Sequence, residues 1–372
     1  MDVAVYRPGE LGGADRSAWT ALQSRAPALG SPQLANPFLS PEFAEAVDRC
    51  RGGVRVAVLH QEGRPAAFLP FQRSALGIGR AVGLGVSDAQ GLVHRPGFGW
   101  DARELLRACG LSVLEFDHLV AGQQPFETAS SVRHASPVID VDQGFEAYLA
   151  GLRARSPKFT RTTLAKERKL GRDVGPVRYV HDERDPAALP ALMRWKSAQY
   201  RRTGRTDRFA KPWIVRLLRH LFHTRTDSFA GLLSVLYAGE RPVAAHFGLR
   251  SDAVLGCWFP AYDPQFAKFS PGLVLHLRMA QAAAAESMAY LDLGRGAKDY
   301  KDSLKTRELT VSEGWVMRPH PVALGHRARR APVRALRNAV LARPELFASA
   351  DRVLKQWGRL RSGGGDTSAT RR

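Results

Sequence analysis

The sequence has few cysteines and no long apolar run, and both shortages restrict the kind of protein it can be. Its three cysteines, Cys50, Cys109 and Cys257, are far apart and odd in number, which fits neither a disulfide framework nor a zinc site. No stretch approaches the roughly 18 consecutive apolar residues of a membrane-spanning helix. The first ten residues, MDVAVYRPGE, lack the basic region and apolar core of a signal peptide, so we expect a cytoplasmic protein.

The familiar catalytic signatures are also missing. The sequence contains no Walker loop, no GxSxG elbow, no HExxH pair and no Rossmann glycine fingerprint after a first strand. The glycine-rich run GLGVSDAQG, residues 83–91, falls in a connection between elements and is a weak candidate for a phosphate cradle. These absences exclude the common nucleotide-binding, serine-hydrolase and zinc-protease classes, and no metal is expected.

What the sequence has in excess is positive charge. The 372 residues carry a formal net charge of +20, which favours anionic partners such as nucleic acid, a phosphorylated cofactor or an acidic membrane face. The same balance also occurs in arginine-rich proteins that bind no such partner. After Met317 there are 13 Lys and Arg against three acids, so the C-terminal tail holds about half of the excess.

Alternation and turn signals predict two stretches of mixed helix and strand. Ser40 and Pro41 begin a helix, and VRVAVLH and AAFLPF form a hairpin, followed by strands at LSVLEF and PVIDV. Beyond residue 144 we expect helices at FEAYLAGL, 156–172, 186–202 and 212–223, and strands at VRYVH, GLLSVLYAG, PVAAHFGLR and AVLGCWFPAY. An Ala-rich helix from Ser270, the strand AYLDLG, the short helix KDYKDSLK and the strand LTVSEGWVM complete the pattern.

An internal echo supports a division into halves. The segments VLHQEGRPAA, from Val58, and VLYAGERPVA, from Val235, align without gaps 177 positions apart. A strand–turn–strand with Arg-Pro can recur by chance, but duplication of a mixed domain would leave the same trace. We therefore predict an α+β protein with two tandem domains, residues 1–140 and 141–318, whose mainly antiparallel mixed sheets are flanked by helices.

Residues 319–372 are predicted to form a basic amphipathic helical tail with a disordered end. Apolar residues recur near helical spacing from Val333 to Trp357, with arginines between them, and the chain ends in RSGGGDTSATRR. Such a helix can lie on an anionic membrane surface, which would make the protein peripheral at the inner face of the membrane. The alternative is that its apolar stripe docks on the protein's own core.

The densest set of candidate functional residues lies between residues 243 and 304. Lys268, Ser270 and Gly272 stand at the start of the Ala-rich helix, where free N–H groups and a partial positive charge suit a pyrophosphate. Plain capping by Ser-Pro explains the same residues without a ligand. Lys301, on the short helix that follows the next strand, could hold a phosphate or a carboxylate.

Three further side chains suit proton transfer. Asp292 interrupts an apolar strand, where a buried carboxylate needs a partner such as Arg295 or Lys301, and it is either half of a salt bridge or a base. Tyr300 could protonate a departing thiolate. His246 lies in an otherwise apolar strand and is either a hydrogen-bonded core residue or a general base. Trp195, Tyr200, Arg250 and Tyr262 are candidate substrate contacts.

The segments WKSAQYRRTGRTDRF, ERPVAAHFGLR, AYDPQFAKFSPGLVLHL and YLDLGRGAKDYKDSLK, between residues 144 and 317, carry a resemblance. They resemble the acyltransferase core of the GNAT superfamily and, more closely, the CelD/BcsL-type acetyltransferases named for cellulose biosynthesis, relatives of the FemAB-like tandem proteins. KFSPGL departs from the usual GNAT phosphate loop because it has a single glycine. The first half lacks counterparts of FSPG and DYK, so we expect it to be structural.

The resemblance implies acetyl-CoA or another acyl-CoA as the donor, held by Lys268, Ser270, Gly272 and Lys301. An acceptor amine, on a small molecule or a glycan, would attack the thioester directly, with Asp292 and His246 as base or positioning groups and Tyr300 as acid. Two other functions stay open: aminoacyl-tRNA-dependent peptidyl transfer, as in the FemAB-like relatives, and a non-catalytic scaffold at a polysaccharide-assembly membrane. The basic segments lack interleaved aromatics, so nucleic acid is not the expected partner.

Overall fold

A computed structural model of the chain describes residues 2–74, 76–127, 131–296 and 299–325. The tail predicted for residues 319–372 therefore lies almost wholly outside the described residues. The strands are β1 (Asp2–Tyr6), β2 (Val54–Gln61), β3 (Arg64–Arg73), β4 (Ile78–Ala81), β5 (Val93–His94), β6 (Val113–Val120), β7 (Val132–Asp140), β8 (Val177–Val180), β9 (Arg225–Thr226), β10 (Phe229–Ala238), β11 (Arg241–Arg250), β12 (Val254–Tyr262), β13 (Tyr290–Asp292) and β14 (Arg307–Met317).

Every helix predicted from the sequence within the described residues is present, whereas α1 was not predicted. The helices are α1 (Gly13–Arg25), α2 (Pro41–Arg51), α3 (Ala102–Ala108), α4 (Phe145–Arg155), α5 (Pro157–Asp173), α6 (Ala188–Arg202), α7 (Pro212–His223), α8 (Pro271–Ala285) and α9 (Asp299–Leu304). Short 3-10 helices occupy Pro8–Glu10, Pro32–Ala35, Pro37–Leu39, Arg208–Ala210 and Pro264–Phe269. The predicted cap of α2 is confirmed, since the Ser40 hydroxyl accepts from the Phe43 backbone N–H at 3.1 Å.

All the strands of the described residues join one sheet in the order β1-β2-β3-β4-β6-β14-β7-β13-β12-β11-β10-β8, with β5 added to β3 and β9 to β10. The strand pairs are antiparallel apart from β4 with β6 and β12 with β13, which are parallel. Helices flank the sheet. The predicted fold class, mainly antiparallel sheet with helices around it, is confirmed.

The two halves of the sheet exchange a strand. β7 follows β6 along the chain but pairs with β13, and β14 follows β13 but pairs with β6. β7 and β14 pair with each other at the centre. Each half is thus completed by a strand from the other, which makes the sheet continuous and fixes the halves against each other.

The sequence echo corresponds to a repeated hairpin. In β2–β3, Val58 pairs with Phe68 and the register shifts between Leu59 and His60. In β10–β11, Val235 pairs with Ala245 and the register shifts between Leu236 and Tyr237. Both pairings and both irregularities are 177 positions apart. The repeated sequence therefore encodes one hairpin geometry twice, including its bulge.

The largest hydrophobic core crosses between the halves. Trp19 is fully buried and stacks on Phe68, with the ring centroids 5.2 Å apart. The same apolar cluster continues through Leu217 of α7 to Phe247 and Trp258 of the second half. Because these residues pack together, burial of apolar area holds α1 and β3 of the first half against α7, β11 and β12 of the second.

Candidate functional site

The site begins where two parallel strands separate. β12 and β13 pair from Val254 with Tyr290 to Gly256 with Asp292, and there the pairing ends. β12 continues to Tyr262, while the chain after Asp292 turns away through Gly294. The φ of Gly294 is +76°, in the left-handed region that favours glycine. Beyond this point the two strands no longer form hydrogen bonds with each other, and their backbone lines two cavities instead.

Two cavities meet at this opening. The α8 cavity, of about 310 Å³, lies between the end of β12, helix α6 and the start of α8. The central cavity, of about 530 Å³, lies between the two halves of the chain and is bounded by residues 84–88, the α6–α7 connection, β12 and α9. The residues that line both cavities, and so form the wall between them, are Lys196, Pro260, His276 and Tyr300.

The first turn of α8 shapes the α8 cavity. Ser270 has a left-handed conformation, with φ of 50°, and its hydroxyl accepts a hydrogen bond from Lys166 Nζ at 2.7 Å. Pro271 occupies the first helical position, where its missing N–H costs nothing. The N-terminus of this 15-residue helix and the Lys166 ammonium both place positive charge at the cavity, an environment that suits an anion.

A second groove adjoins the α8 cavity on the α5 side. It has a volume of about 550 Å³ and is lined by residues of α5, among them Lys158, Phe159 and Lys166, together with Leu273 of α8. Leu273 also lines the α8 cavity, so the groove and the cavity adjoin at this residue. The two lysines extend the positive environment away from the opening between the strands.

One acidic side chain of the described residues, Asp88, lines the central cavity. Its side chain is 25% exposed, and one carboxylate oxygen lies 3.6 Å from Nε2 of His118. The other ring nitrogen of His118, Nδ1, lies 3.0 Å from Oδ1 of Asp117. Asp117 is in turn held by the Gln90 amide at 2.6 Å and the Gly85 N–H at 3.0 Å. A series of hydrogen-bonded or closely spaced groups, carboxylate, imidazole and carboxylate, thus leads from Asp117 through His118 to Asp88 at the cavity.

The electrostatics of this chain favour a charged imidazole beside Asp88. Burial raises the pKa of the Asp88 carboxyl, and the nearby Asp292 carboxylate adds to the increase while His118 opposes it. Burial would lower the pKa of His118, but the Asp117 hydrogen bond and the charges of both carboxylates raise it. The pKa of Asp117 is lowered by its hydrogen bonds in spite of its burial. Asp88 therefore has the raised pKa that suits a general base.

Tyr300 and Lys301 stand at the opening, as their position after β13 predicts. Tyr300 lines both cavities, its ring centroid is 5.5 Å from that of His276, and burial raises the pKa of its hydroxyl to about 12. Lys301 is buried and donates to the carbonyl oxygens of Gly294 at 2.7 Å and Arg295 at 3.3 Å. Burial lowers the pKa of Lys301, although Asp88 and Asp292 oppose the decrease.

His276 adds a second ring to the wall between the cavities. Its Nδ1 is 2.6 Å from the carbonyl oxygen of Gly272. A carbonyl only accepts, so Nδ1 carries the proton and Nε2 is the basic nitrogen of the neutral ring.

The two other residues predicted for proton transfer, Asp292 and His246, line neither cavity. The Asp292 carboxylate accepts from Ser136 at 2.8 Å, the Gly294 N–H at 2.9 Å and Asn36 at 3.1 Å. His246 is fully buried, and its Nε2 accepts from the Trp258 N–H at 3.1 Å. Burial lowers the pKa of His246 well below its ordinary value. Both side chains hold backbone that lines the central cavity.

The remaining predicted contacts divide between the cavities and the surface. Ser270, Gly272 and Tyr262 line the α8 cavity, and Tyr200 lines the central cavity. The residues that line neither are Lys268, which is exposed with Nζ 4.9 Å from the Phe269 ring centre, Trp195, which packs on the core, and Arg250, whose guanidinium is 3.4 Å from the Asp227 carbonyl oxygen.

The sequence interpretation missed the contribution of the first half. Residues 84–86 and Asp88 line the central cavity, whereas we expected this half to be structural. Contacts to the second half hold the loop: Trp258 Nε1 donates to the Val86 carbonyl at 2.7 Å, and the Arg208 guanidinium donates to the Gly85 carbonyl. The sequence feature that could have indicated this contribution is Asp88, the acid within the glycine-rich run of residues 83–91. Lys166, within the basic segment of residues 156–172, is a second functional residue that the sequence interpretation missed.

Residues 2–325, apart from their short gaps, contain no group of three or more His, Cys, Asp or Glu side chains arranged to hold a metal ion. Over the same residues, no helix combines the length and the apolar character that crossing a membrane requires.

Comparison with known proteins agrees with this geometry. Residues 158–302 match the model of the acetyltransferase (GNAT) domain family, a range that includes α8, β12, β13 and most of α9. None of the curated proteins matches the sequence. The family match supports an acyltransferase and assigns no specific reaction.

Solved structures show the same fold over most of the chain. A crystal structure of FemX has a TM-score of 0.56 at 10% identity, covering 84% of this chain and 97% of that chain. A conserved protein of unknown function from Bacteroides thetaiotaomicron VPI-5482 has a TM-score of 0.52 at 10% identity, covering 85% and 100%. A tandem GNAT protein from the clavulanic acid biosynthesis pathway has a TM-score of 0.40 at 11% identity, covering 85% and 98%. At these identities the similarity to the first two structures concerns the fold alone, and the TM-score of 0.40 for the third supports no conclusion.

Proposed function

We propose that the protein is an N-acyltransferase that uses an acyl-CoA donor, with acetyl-CoA as the simplest candidate. The observation that carries this proposal is the meeting of two cavities at the opening between β12 and β13. One cavity has the helix N-terminus and the lysine that an anionic carrier needs, and the other has a candidate base. A reacting pair can therefore approach from opposite sides of one wall.

The α8 cavity fits the donor. The Gly272 N–H and the Lys166 ammonium would bind the diphosphate of coenzyme A, because Pro271 has no N–H and the Leu273 N–H already donates to the Ser270 carbonyl. Lys158 and Phe159 would line the path of the nucleotide part. Lys268 points to the surface and has a smaller part than the sequence suggested. The bound donor supplies a thioester carbonyl, which is the electrophile of the reaction.

The central cavity would hold the acceptor amine. Asp88 takes the proton from the amine as its nitrogen forms a bond to the carbonyl carbon, and His118 stabilises the Asp88 charge before the transfer. As the carbon–sulfur bond breaks, the Tyr300 hydroxyl gives its proton to the leaving thiolate. A backbone N–H on the edge of β12 that β13 has left would stabilise the oxyanion.

Asp292, His246 and Lys301 position this machinery in our proposal. Asp292 and Lys301 together fix the turn at Gly294, one from its N–H and the other from its carbonyl. His246 fixes the Trp258 N–H of β12. In this proposal Asp88 is the base, and Asp292 positions the turn at Gly294.

The finer expectations of the resemblance belong to the same proposal. They are the CelD/BcsL type, an acceptor from polysaccharide or cell-envelope synthesis, and contact of the basic tail with an anionic membrane. The division into residues 1–140, 141–318 and 319–372 is likewise proposed. The two halves of the repeat support it, because β2–β3 and β10–β11 share one register.

A thiol-release assay tests the proposal. Purified protein is mixed with acetyl-CoA and a panel of amines, and the expected result is release of free coenzyme A with formation of an N-acetyl product by mass spectrometry. Aminoacyl-tRNA-dependent transfer is the second candidate, and the lysines of α5 along the groove favour it. It would instead show RNA binding that falls steeply with salt and no turnover of acetyl-CoA. Absence of both activities would favour the scaffold.

A further inference from the structure

The central cavity is lined by cations that have no role in the proposed binding of the donor. Four cations line its outer part: Arg51 at the end of α2, and Arg205, Arg208 and Lys211 in the α6–α7 connection. None of the four forms a salt bridge with a carboxylate of the described residues. Asp88 is the acid nearest to them in the cavity, and it is already paired with His118.

Some arginines outside the cavity are neutralised by neighbouring carboxylates. Arg16 pairs with Glu42 and Glu45, Arg225 with Asp182, and Arg278 with Glu167 at 2.7 Å. Many other cations of the described residues, among them Arg194 and Arg219, also lack a carboxylate partner, so what distinguishes the four cavity cations is that they line one cavity together with a single acid, Asp88. Gathering like charges costs free energy unless an anion compensates them.

The fold also holds two of these cations in place. The Arg51 guanidinium lies 4.7 Å from the centre of the Trp213 ring, which itself lines the cavity. Arg208 donates to the Gly85 carbonyl, so its position is tied to the loop that carries Asp88. Burial and the charge of Arg80 lower the pKa of Arg51, which agrees with an uncompensated cation.

We propose that the acceptor is an amine that carries an anionic group, a phosphate or a carboxylate. Arg51, Arg205, Arg208 and Lys211 bind the anion while the amine lies at Asp88. This inference rests on the proposed acyl transfer and narrows its acceptor to a chemical class. The recognition is charge-assisted hydrogen bonding by guanidinium groups, which match the oxygens of both anions.

The donor does not account for these cations. Its diphosphate has its own partners in the α8 cavity, on the other side of the wall formed by Lys196, Pro260, His276 and Tyr300. The two anion sites thus serve different substrates. A long RNA on the same cations is the competing explanation, and the experiment below includes it.

Calorimetry with inorganic pyrophosphate tests the anion site directly. Coenzyme A is first titrated alone, which reports the donor site, and is then held at saturation while pyrophosphate is added. Pyrophosphate should bind the wild type and bind at least tenfold more weakly to the exposed double variant Arg205→Gln, Lys211→Gln. The control Arg219→Gln, an exposed arginine of α7 away from both cavities, should match the wild type. Equal binding by all three proteins would overturn the inference while leaving the donor result intact.

Matched acceptors then test the chemical class. With acetyl-CoA, glucosamine 6-phosphate is compared with glucosamine, and glycine with glycinamide, so that the phosphate and carboxylate arms are separate. We expect at least one anionic member to be acetylated at least tenfold more efficiently than its neutral partner, and the double variant to lose that preference by raising the acceptor KM. The inference fails if the neutral members are preferred, if the variant raises only the acetyl-CoA KM, or if it weakens RNA binding instead.

Discussion

Nε2 of His118 lies 3.6 Å from a carboxylate oxygen of Asp88, and this pair belongs to the half of the chain that lacks the acyltransferase family match. The cavity it faces is completed by β12 and α9 of the other half. Because β7 and β14 exchange between the halves, the two sides of the cavity are fixed relative to each other. The candidate catalytic centre therefore needs residues from both halves of the sheet.

Replacing Asp88 by asparagine should abolish most of the turnover and preserve donor binding. The amide cannot accept the amine proton, and general-base catalysis is worth between about 100-fold and 10,000-fold in rate. We expect kcat to fall by this factor with the acetyl-CoA KM changed by less than about threefold. Asp15→Asn, in α1, is the matched control and should retain full activity. An active Asp88→Asn enzyme would remove Asp88 from the mechanism.

The pH dependence of the reaction should report the raised pKa of Asp88. Because burial raises this pKa, kcat/KM should decline on the acid side at a higher pH than an exposed carboxylate would give. His118 opposes the increase, so His118→Asn should move the acid limb to still higher pH. The check is a profile of kcat/KM against pH for both proteins. An acid limb that moves to lower pH in the variant would contradict the assignment.

The same pKa predicts a stability difference. A carboxyl whose pKa is higher in the folded state loses its contribution to stability as pH rises through that pKa. Asp88→Asn lacks this titration, so its melting temperature should increase relative to the wild type as pH rises from 4 to 8. Thermal unfolding across this range measures the difference. A wild type that gains stability relative to the variant would mean that ionised Asp88 is well compensated.

Tyr300→Phe should lower kcat and leave binding unchanged. The hydroxyl has a pKa of about 12, so it stays protonated through the working range and can donate to the thiolate. We expect kcat to fall roughly 100-fold, at the lower end of proton-transfer effects. A donor with a better leaving thiol should restore part of the rate in the variant. Tyr6→Phe, on β1, serves as the control. Unchanged turnover by Tyr300→Phe would mean that another group supplies the proton.

Asp292→Asn separates positioning from base catalysis. The amide oxygen can still accept from Ser136 and the Gly294 N–H, so the turn at Gly294 should persist and kcat should fall by less than about tenfold. Asp292→Ala leaves buried donors unpaired at roughly 1–3 kcal/mol for each group and should unfold at lower urea concentration. Urea titrations and kcat of both variants provide the measurement. A loss in Asp292→Asn as large as in Asp88→Asn would make Asp292 the base.

The local parts of the fold were predictable from the sequence. Alternation and turns gave the β2–β3 and β10–β11 hairpins, and the Ser-Pro pair at 270 gave the start of α8. Tyr300 was placed at the cavity because a short helix follows a short strand there. These features depend on contacts between near neighbours, which periodicity and capping describe.

The parts that were missed depend on distant contacts. Two of the three hydrogen bonds to Asp292 come from Asn36 and Ser136, which are 256 and 156 positions away. Asp88 faces the second half because Trp258 and Arg208 bond the loop that carries it, in a sheet whose halves exchange β7 and β14. No local pattern encodes such an exchange, so an acid in a glycine-rich connection was indistinguishable from an ordinary loop residue.

Calorimetric titration with acetyl-CoA decides whether the α8 cavity binds an acyl-CoA. Lys166 Nζ bonds the Ser270 hydroxyl at the cavity, whereas Lys169 on the same helix pairs with Asp173 at 3.0 Å. We predict single-site binding in the micromolar range for the wild type and for Lys169→Ala, and at least tenfold weaker binding for Lys166→Ala. No heat of binding at millimolar acetyl-CoA, or equal affinity in all three proteins, would mean that the α8 cavity is not the donor site.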